Sequence, residues 1–263
     1  MSIPKIIHYC WFGENPKPKL AEKCIKSWKK YCPDYQLVEW NEKNYDISSC
    51  PLYVRQAYRA KKWAFVTDYV RLDVVYKHGG IYLDTDVEVI KPLDSLLYHD
   101  CFIGRQPGFQ VNTGAGFGSV AGHPVIKIML DDYSDIPFFK ENGDMDLLTC
   151  PHRNSEWLFQ HGMEAADTYQ EIAGCAIYPI VFFSPLDAYT RQLHKTASTY
   201  SIHHCDASWK PEETSFQKGM RRFLFSTKNA VDFVIHVPNY SLRKVLGTEK
   251  YNVLKETLKG IFQ

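Results

Sequence analysis

Hydrophobic and polar residues alternate with two different periods over the first forty positions. A β-rich apolar run at 5–12 ends at Gly13 and a pair of prolines, and a second strand-like alternation covers 35–40. A helix is predicted between them, over 20–31. This order of strand, helix and strand predicts a βαβ unit.

A longer pattern leads from a helix into two short strands. Aromatic and apolar residues recur at helical spacing from Phe65 to Tyr76, which indicates an amphipathic helix. The pair Gly79 and Gly80 follows it in the manner of a glycine C-cap. Short strands are then predicted at 81–83 and 87–90.

The rest of the chain continues to alternate between strand and helix patterns. This alternation predicts an α/β domain with a mixed central sheet. We expect the domain to cover 1–215 and a helical, basic C-terminal appendage to follow over 216–263. The further predicted strands are 101–105, 114–120, 177–183 and 200–205, and the further predicted helices are 124–133 and 155–162.

The charge of the chain is balanced overall but not locally. A net charge of +1 over 263 residues gives no argument for a nucleic-acid partner. The segment 216–263 holds nine Lys or Arg and three Asp or Glu, so its local charge is 9 − 3 = +6. Two interpretations stay open for this basic tail: a contact with a membrane surface, or a solvated helix face.

Cysteine usage and the start of the chain bear on the compartment. The eight Cys lack close CxxC pairs and zinc-type spacing. The first residues have no secretory-signal pattern, and no apolar run reaches transmembrane length. We therefore expect reduced, mostly buried thiols in a cytoplasmic protein that is at most peripheral on the inner face of the cytoplasmic membrane.

Asp84 and Asp86 form the candidate chemical site. In an extended segment alternate side chains share a face, so the two carboxylates are predicted to point the same way and Thr85 the other way. Two like charges this close are costly unless a cation lies between them. Carboxylate oxygens suit Mg²⁺ or Mn²⁺, which also bind phosphates. The residues alone leave a second interpretation open, a solvated acidic turn.

The predicted helix that precedes these aspartates carries Asp68 and Arg71. The two residues are three apart, so they share a helix face and can pair. One interpretation is a surface ion pair, which contributes little to stability. The other is a polar pair beside the carboxylates that hydrogen-bonds a sugar or a ribose.

Three separated segments of the sequence together resemble a known family. The segments are 6–13, 65–86 and 202–209. In this order they resemble glycosyltransferase family 32, which has a sugar-binding Asp-x-Asp region and includes bacterial capsule and lipopolysaccharide transferases and yeast mannosyltransferases. The family is distantly similar to the clostridial glucosylating toxins. The resemblance implies a GT-A (Rossmann-like) glycosyltransferase fold, a nucleotide-diphosphate sugar donor, with a UDP-sugar favoured, and Mn²⁺ or Mg²⁺.

The resemblance also implies a role for each matching residue. Asp86 would bind the metal, and Asp84 would bind the ribose or the metal and its water. Of the adjacent histidines, His203 is preferred over His204 as a further metal ligand, because related transferases favour the first position and only one of two neighbouring strand residues can face the site. The implied donor contacts are Trp11 (base stacking), Asp68 and Arg71 (ribose or sugar hydroxyls), Tyr82 (nucleoside), and Ser208 and Trp209 (closure over the diphosphate).

Some candidate residues also have a purely structural interpretation. Trp11 ends a buried strand and can equally be part of the core. Asn112 can donate to a sugar hydroxyl or serve only as a turn residue. His152, Asn154 and Glu156 are candidates for the border of the acceptor pocket.

Three other functions compete with a biosynthetic glycosyltransferase. An Asp-x-Asp phosphotransferase or phosphatase usually has Thr or Val two residues after the second Asp, where this chain has Glu88. A non-catalytic glycan-binding protein of the same fold is disfavoured by the intact carboxylates. A toxin-like transferase that modifies protein is disfavoured because the chain has no room for delivery domains. We therefore expect hexose transfer with retention onto a saccharide or lipid-linked saccharide, in bacterial surface polysaccharide synthesis.

Overall fold

The computed structural model describes residues 2–188 and 190–206, and within them it has nine strands and six α-helices. The strands are β1 (Ile6–Cys10), β2 (Gln36–Trp40), β3 (Gly80–Tyr82), β4 (Val87–Val89), β5 (Cys101–Gly104), β6 (Phe117–Ser119), β7 (Gln170–Ile172), β8 (Cys175–Tyr178) and β9 (Ser201–His203). The helices are α1 (Lys19–Tyr31), α2 (Leu52–Arg59), α3 (Trp63–His78), α4 (Pro124–Asp131), α5 (Cys150–Gln160) and α6 (Ile180–Phe183). The predicted boundary after residue 215 and the basic tail lie outside the described residues.

Seven strands form one mixed sheet in the order β2-β1-β3-β6-β5-β8-β7. β1 is parallel to β2 and β3, whereas β6 is antiparallel to both β3 and β5. β5 runs parallel to β8, and β7 pairs antiparallel with β8 at the far edge. The predicted α/β domain with a mixed sheet is confirmed. The βαβ unit is confirmed as well, because α1 connects the parallel strands β1 and β2.

The central sheet separates two apolar clusters. Successive residues of a strand point to opposite faces of a sheet. Ile81 of β3 accordingly packs with the side chains of α1, and the next residue, Tyr82, packs with those of α3. Phe102 and Ile103 divide in the same way on β5. Both faces of the central strands are therefore buried, and the end of β3 emerges between the two clusters.

Helix α3 crosses the interior of the domain. It contacts β1, β3, α2 and α4, and nine of its sixteen residues are buried. The prediction of an amphipathic helix was therefore wrong, because a helix enclosed on several sides has no polar face to water. Asp68 and Arg71 gave the pattern its polar positions, yet both are buried. Tyr69 and Tyr76, which the pattern assigned to the buried stripe, are only half-buried.

Other elements differ from the sequence predictions in their limits. The strand predicted at 177–183 is divided at Pro179, which precedes the short helix α6 and has no amide to donate to a strand. Helix α5 begins at Cys150, with Pro151 in its first turn, rather than at residue 155. Helix α2 and strand β7 were not predicted. They span eight and three residues, and short elements give weak periodicity.

The cysteines agree with the prediction of unbonded, mostly buried thiols. All eight are free, and seven are buried. In the part of the chain that the structure describes, no helix has both the length and the apolar character that a membrane crossing requires.

Candidate functional site

Asp84 and Asp86 lie on either side of a tight turn. β3 ends at Tyr82, and the amide of Val87 donates to the carbonyl of Asp84 (3.0 Å), which closes the turn at the start of β4. The prediction of an extended backbone here was therefore wrong. The carboxylates still converge, because the turn brings Asp86 back toward Asp84. One oxygen of each and one imidazole nitrogen of His203 all lie within 4.8 Å of one another.

His203 reaches this turn from a distant part of the chain. β9 pairs antiparallel with β4 in a two-stranded sheet, and the register places His203 opposite Val87. Its Nε2 lies 3.4 Å from Asp86 Oδ1. The next residue, His204, has its Nε2 2.9 Å from Glu88 Oε2 instead. The structure thus groups His203, and not His204, with the two aspartates, and we call Asp84, Asp86 and His203 the carboxylate cluster.

Two buried side chains, those of Tyr82 and Arg71, hold the Asp84 carboxylate in place. The Tyr82 hydroxyl donates to Asp84 Oδ1 (3.0 Å), and Arg71 Nη2 lies 3.2 Å from the same oxygen. Arg71 also contacts Asp68 Oδ1 (3.1 Å), so the predicted pairing of these two residues is confirmed, but as a buried pair. Arg71 and Tyr82 are 3% and 1% exposed. Their burial fits a positioning role for both and leaves Tyr82 without an open face for the predicted nucleoside contact.

The electrostatics of the carboxylate cluster favour a bound cation. Burial raises the pKa of Asp84, against the opposing charge of Arg71. Burial also acts on Asp86, but the charge and hydrogen bond of His203 outweigh it and hold the pKa of Asp86 below its ordinary value. Conversely, burial would lower the pKa of His203, but the Asp86 charge raises it well above its usual range. The protonated imidazole balances the carboxylates here, and a metal ion would displace its proton.

Gly114 lies directly against Asp84 and Arg71. Its carbonyl accepts from the Asp84 amide (3.0 Å). A Cβ at this position would overlap Asp84 Oδ2 and lie 2.8 Å from Arg71 Nη1. Sequence reasoning missed Gly114, because nothing local distinguishes it from the other glycines. The requirement for a missing side chain arises only when the loop before β6 packs against the end of β3.

Asn112 shapes the loop that presents Gly114. Its Oδ1 accepts from the amides of Gly114 (2.8 Å) and Ala115 (3.2 Å), and its Nδ2 donates to Gln106 Oε1 (2.8 Å). Asn112 is also buried. Both ends of its amide are engaged with protein, so the turn interpretation fits Asn112 better than the predicted contact with a sugar hydroxyl.

The first turn of α5 supports Arg71 from another side. Arg71 Nη1 donates to Cys150 Sγ at 3.5 Å, and Thr113 Oγ1 lies 3.9 Å from the same sulfur. Asn154 Nδ2 donates to Thr113 Oγ1 (2.9 Å) and is fully buried, so Asn154 supports the loop instead of lining an acceptor pocket. The other two acceptor candidates on α5 are exposed. Cys150 and Thr113 were not predicted, because only the tertiary fold brings them to Arg71.

Trp11 lies just after β1 and outside the apolar clusters. Its side chain is half-buried, its Nε1 donates to the carbonyl of Asn15 (2.6 Å), and Lys17 Nζ is 5.7 Å from its ring centroid. The nearby Gly13 amide donates to Glu42 Oε1 (2.6 Å). Glu42 lines an open cleft of about 530 Å³ whose lining includes none of the carboxylate cluster. Because the side chain of Trp11 is only half-buried and lies outside both apolar clusters, the core interpretation of Trp11 is wrong. Its stacking on a nucleotide base stays a prediction.

Asp68 is the predicted sugar contact at the edge of the carboxylate cluster. Its side chain is 11% exposed. Burial raises the pKa of Asp68 to about 6, although the charge of Arg71 opposes that shift. Its contact with a hydroxyl stays a prediction. So do the roles of Ser208 and Trp209, which lie outside the described residues.

The donor atoms of the carboxylate cluster fit Mn²⁺ or Mg²⁺. Hard carboxylate oxygens suit both ions, and the imidazole nitrogen in the set favours Mn²⁺ over Mg²⁺. The side chains of Asp84 and Asp86 are 27% and 20% exposed, so the cluster opens toward solvent on one side. An opening of this kind is what a metal needs in order to bind a substrate as well as protein ligands.

Comparison with curated proteins identifies relatives that are longer than this chain. Over 156 residues it is 32% identical to inositol phosphoceramide mannosyltransferase 3 of Schizosaccharomyces pombe. This aligned region covers 56% of this chain and 41% of that protein. Inositol phosphoceramide mannosyltransferase 2 of the same yeast is 28% identical over 133 residues, covering 49% and 38% respectively. The chain thus spans less than half the length of these relatives.

Comparison with solved structures gives partial similarities to glycosyltransferases. PaToxG glycosyltransferase has a TM-score of 0.47 and 20% identity, covering 60% of this chain and 69% of that chain. A glycosyltransferase involved in the glycosylation of the major capsid of PBCV-1 has a TM-score of 0.45 and 14% identity, covering 84% and 100%. The galactosyltransferase LgtC has a TM-score of 0.41 and 14% identity, covering 85% and 95%.

A family model described as "Glycosyltransferase sugar-binding region containing DXD motif" matches residues 18–103. This range includes α3, the Asp68 and Arg71 pair, and the turn with Asp84 and Asp86. The family resemblance of the sequence is therefore confirmed: over residues 18–103 this chain is similar to the sugar-binding region of the DXD-motif glycosyltransferases.

Proposed function

We propose that this chain is a metal-dependent glycosyltransferase of GT-A fold. It moves a hexose from a nucleotide-diphosphate sugar to a hydroxyl of a saccharide or lipid-linked saccharide. The observation that supports this most directly is the convergence of Asp84, Asp86 and His203 at the end of β3, with both aspartates inside the matched sugar-binding region. A site that gathers two carboxylates and an imidazole around one small volume suits a cation that binds a diphosphate.

The residues of the chain bind and orient the donor in this proposal. Asp84, Asp86 and His203 would hold the cation, which when bound supplies positive charge against the negative charge that develops on the leaving diphosphate. Arg71 and Tyr82 fix Asp84 before the donor arrives, so little reorganisation is needed at the moment of reaction. Asp68, at the edge of the cluster, accepts a hydrogen bond from a donor hydroxyl.

Transfer is proposed to retain the anomeric configuration. Asp68 and Asp84 are both paired with Arg71, so neither is a free nucleophile for a covalent intermediate. The acceptor hydroxyl attacks from the side of the leaving group. The new glycosidic C–O bond forms as the C–O bond to the diphosphate breaks, and the hydroxyl proton passes to a departing phosphate oxygen. Analogy with the family supplies this stereochemistry.

Two donor classes fit the proposal. A UDP-hexose is the first candidate. A mannosyl donor such as GDP-mannose is the second, favoured by the names of the yeast relatives. The proposed setting is bacterial surface polysaccharide synthesis in the cytoplasm, at the inner face of the membrane.

Calorimetric titration with UDP-sugars and GDP-sugars, in Mn²⁺ and in EDTA, tests the proposal. His203→Gln and His204→Gln are a matched pair, because they change neighbouring residues of which one faces the carboxylate cluster. We expect His203→Gln to weaken Mn²⁺-dependent donor binding about tenfold or more, as loss of a metal-site residue does. His204→Gln leaves it within about twofold. Equal effects of the two substitutions would contradict the site.

A second measurement separates an enzyme from a glycan-binding protein of the same fold. The wild-type chain with Mn²⁺ and donor is expected to release nucleotide diphosphate slowly without acceptor and faster with acceptor oligosaccharides. Asp86→Asn should abolish this release, because it removes a ligand charge while keeping the side-chain shape. Donor binding without any diphosphate release would favour the non-catalytic alternative.

A further inference from the structure

The connection from β5 to β6 stands at the same edge of the sheet as the carboxylate cluster. β6 is antiparallel to both β3 and β5, so these two strands run in the same direction and end at the same edge. Tyr82 of β3 and Ile103 of β5 both pair with Phe117 of β6. Two strand spacings, roughly 10 Å in total, therefore separate the end of β5 from the strand that leads into Asp84.

The connection begins as a tight hairpin whose tip exposes a phenylalanine. Arg105 and Val111 form an antiparallel bridge, and we call the residues between them, 106–110, the hairpin tip. Phe109 in the tip is 37% exposed and has a φ of +67°. This left-handed conformation suits glycine and is unfavourable for a bulky side chain. Because Phe109 gains little burial in return, the fold alone does not explain a phenylalanine here, and such strain is typical of functional positions.

A buried arginine fixes the position of Phe109. The Nη1 of Arg105 donates to the carbonyl of Phe109, and its Nη2 donates to the carbonyl of Glu164 (3.1 Å). Arg105 is fully buried and has no ion pair within residues 2–188 and 190–206. Burial lowers its pKa, against the charge of Asp167. The hairpin tip is thus held from inside the domain, and an ordered tip loses little conformational entropy when a ligand binds.

Two amide side chains flank Phe109. Gln106 Nε2 donates to Gln110 Oε1 (3.3 Å), and the backbone amide of Gln106 donates to the carbonyl of Gln110 (2.9 Å). The Nε2 of Gln110 has no hydrogen-bond partner in the part of the chain that the structure describes. No residue of the hairpin tip is charged. The tip therefore presents an aromatic ring beside an amide that can still donate to a ligand.

Hydrogen bonds link the hairpin tip to the carboxylate cluster. Gln106 Oε1 accepts from Asn112 Nδ2 (2.8 Å), and Asn112 Oδ1 accepts from the amide of Gly114 (2.8 Å). The carbonyl of Gly114 accepts from the amide of Asp84 (3.0 Å). The tip is therefore held at a fixed place beside the cluster, and the separation of two strands leaves room for one hexose between the proposed cation and Phe109.

We propose that Phe109 is the platform on which a pyranose ring of the acceptor saccharide stacks. One face of a pyranose carries mainly C–H bonds, which pack against an aromatic ring, whereas the hydroxyls at its rim bond to amides such as that of Gln110. An uncharged tip suits a neutral sugar and offers no attraction to an anionic lipid headgroup or a charged peptide. The role of Phe109 in transfer rests on the proposed function, whereas its binding of a saccharide does not.

Saturation-transfer NMR on the full chain, with Mn²⁺ and either UDP or GDP present, tests the proposal. The probes are lactose, methyl β-galactopyranoside and methyl α-mannopyranoside, each titrated to give a Kd. The variants are Phe109→Ala and Phe109→Tyr. The matched control is Tyr98→Ala, because Tyr98 is 87% exposed but precedes β5 and so lies at the opposite edge of the sheet. Thermal melting of every variant checks that the fold is kept.

We expect the wild type to bind at least one of these saccharides. Phe109→Ala should raise the Kd of that saccharide about tenfold, because the stacked ring is lost. Phe109→Tyr, which keeps an aromatic face, and Tyr98→Ala should stay within about twofold of the wild type. A wild type that binds none of the saccharides, or a Phe109→Ala variant that binds like Tyr98→Ala, overturns the proposal.

Phe109→Gly separates a binding role from a structural one. The φ of +67° suits glycine, so this variant should melt no lower than Phe109→Ala. It should nevertheless lose saccharide binding to the same extent as Phe109→Ala. If glycine restored the wild-type Kd, the saccharide would need the conformation of the tip and not the aromatic ring, and the proposal would be wrong.

Donor binding distinguishes the failure of this proposal from that of the proposed function. Every Phe109 variant should bind Mn²⁺ and donor within about twofold of the wild type, and Phe109→Ala should raise the acceptor KM about tenfold with little change in kcat. If the wild type binds a saccharide through Phe109 but binds no donor, the proposed function fails and only the role in transfer falls with it. If the wild type binds donor while Phe109→Ala leaves the saccharide Kd and the acceptor KM unchanged, the platform is excluded and the proposed function stands.

Discussion

Asp84 and Arg71 fill the space that the missing side chain of Gly114 leaves. A substitution at Gly114 therefore tests the carboxylate cluster at the scale of one residue. Gly114→Ala adds a Cβ that would overlap Asp84 Oδ2 and lie 2.8 Å from Arg71 Nη1. The Asp84 carboxylate therefore has to be displaced from the position in which Arg71 and Tyr82 hold it. We expect metal-dependent donor binding to weaken by about tenfold or more, measured by calorimetry.

Gly108→Ala is the control for this prediction. A Cβ at Gly108 meets nothing within 4 Å, although the residue has a left-handed φ of +94°. Its cost is therefore one of backbone conformation, about 1 kcal/mol of folding free energy, with donor affinity unchanged. Equal donor affinities of the two alanine variants would show that the contact with Asp84 does not matter for binding.

His8 gives a second residue-scale prediction, about pH. It is buried on β1, where its Nε2 donates to the Gly79 carbonyl (2.8 Å) and its Nδ1 accepts from Trp40 Nε1 (3.1 Å). Burial lowers the pKa of His8 to about 4, with a further contribution from His78. Protonation of Nδ1 would break the bond from Trp40, so the native state requires the neutral ring.

The stability of the protein should therefore fall as the pH falls through this range. Between the unfolded pKa of about 6.5 and the folded pKa of about 4, the unfolded chain binds a proton at His8 that the native chain does not. The loss of unfolding free energy reaches on the order of 3 kcal/mol at the acid end of this pH range. Denaturant unfolding at several pH values should show a smaller loss for His8→Gln, which does not titrate, than for the exposed-residue control His152→Gln. Parallel pH profiles would contradict the assignment.

At the scale of elements, α3 joins the core to the candidate active site through one buried ion group. Arg71 contacts both Asp68 and Asp84, and the helix around it is enclosed by β1, β3, α2 and α4. Arg71→Met should destabilise the fold by about 3 kcal/mol, because it leaves buried carboxylates without their cation. Adding Asp68→Asn should recover about 1 kcal/mol of that loss, measured by denaturant unfolding.

Lys77 provides the matched control on the same helix. Lys77 pairs with Asp73 (2.7 Å), but its side chain is 59% exposed. Lys77→Met should cost less than about 1 kcal/mol, because the ammonium group of Lys77 is exposed to solvent and the buried Asp73 keeps its hydrogen bond from the Tyr45 hydroxyl (2.7 Å). If Arg71→Met costs no more than Lys77→Met, the buried group does not stabilise α3.

The sequence predicted elements well where the pattern was long and local. The βαβ unit, the glycine end of α3 and the strands around Asp84 follow from residues that are neighbours in the chain. The interior course of α3 did not follow, because its buried charges have the same appearance as surface charges in a sequence. The break at Pro179 was missed because the apolar run 177–183 continues through it and hides a change from strand to helix.

The candidate site divides in the same way. Asp68, Arg71, Asp84 and Asp86 were predicted, since they lie within one short motif. Gly114, Thr113 and Cys150 were not, because their importance depends on packing between segments far apart in the sequence. The preference for His203 over His204 came from the family resemblance, and the pairing of β9 with β4 brings His203 to Asp86 (3.4 Å).

At the scale of the whole molecule, the carboxylate cluster connects two sheets. Asp84 follows β3 of the seven-stranded sheet, whereas His203 belongs to β9 of the two-stranded sheet. The amides of His204 and Asp206 donate to the carbonyl of Asp86 (3.0 Å) and to its Oδ2 (2.9 Å). A cation that binds both sides should therefore slow local opening of the small sheet.

Hydrogen exchange measures this effect. With Mn²⁺ and a nucleotide diphosphate at about a hundred times Kd, the stabilisation is about 2.7 kcal/mol. Amides of 87–89 and 201–206 should exchange more slowly, and EDTA should reverse the change. Amides of β7 at the far edge serve as the control. Equal protection of β7, or unchanged protection in His203→Gln, would contradict a link between the two sheets.

The segment 132–149 contributes no strand to either sheet, and three of its large apolar side chains are exposed, those of Phe139, Leu147 and Leu148. The side chains of the carboxylate cluster come from other parts of the chain, at 84–86 and at residue 203. The molecule is therefore modular in a genetic sense. Insertions or deletions in this one connection can change the exposed surface while the residues at 84–86 and 203 are inherited unchanged, because a connection outside both sheets tolerates changes in length.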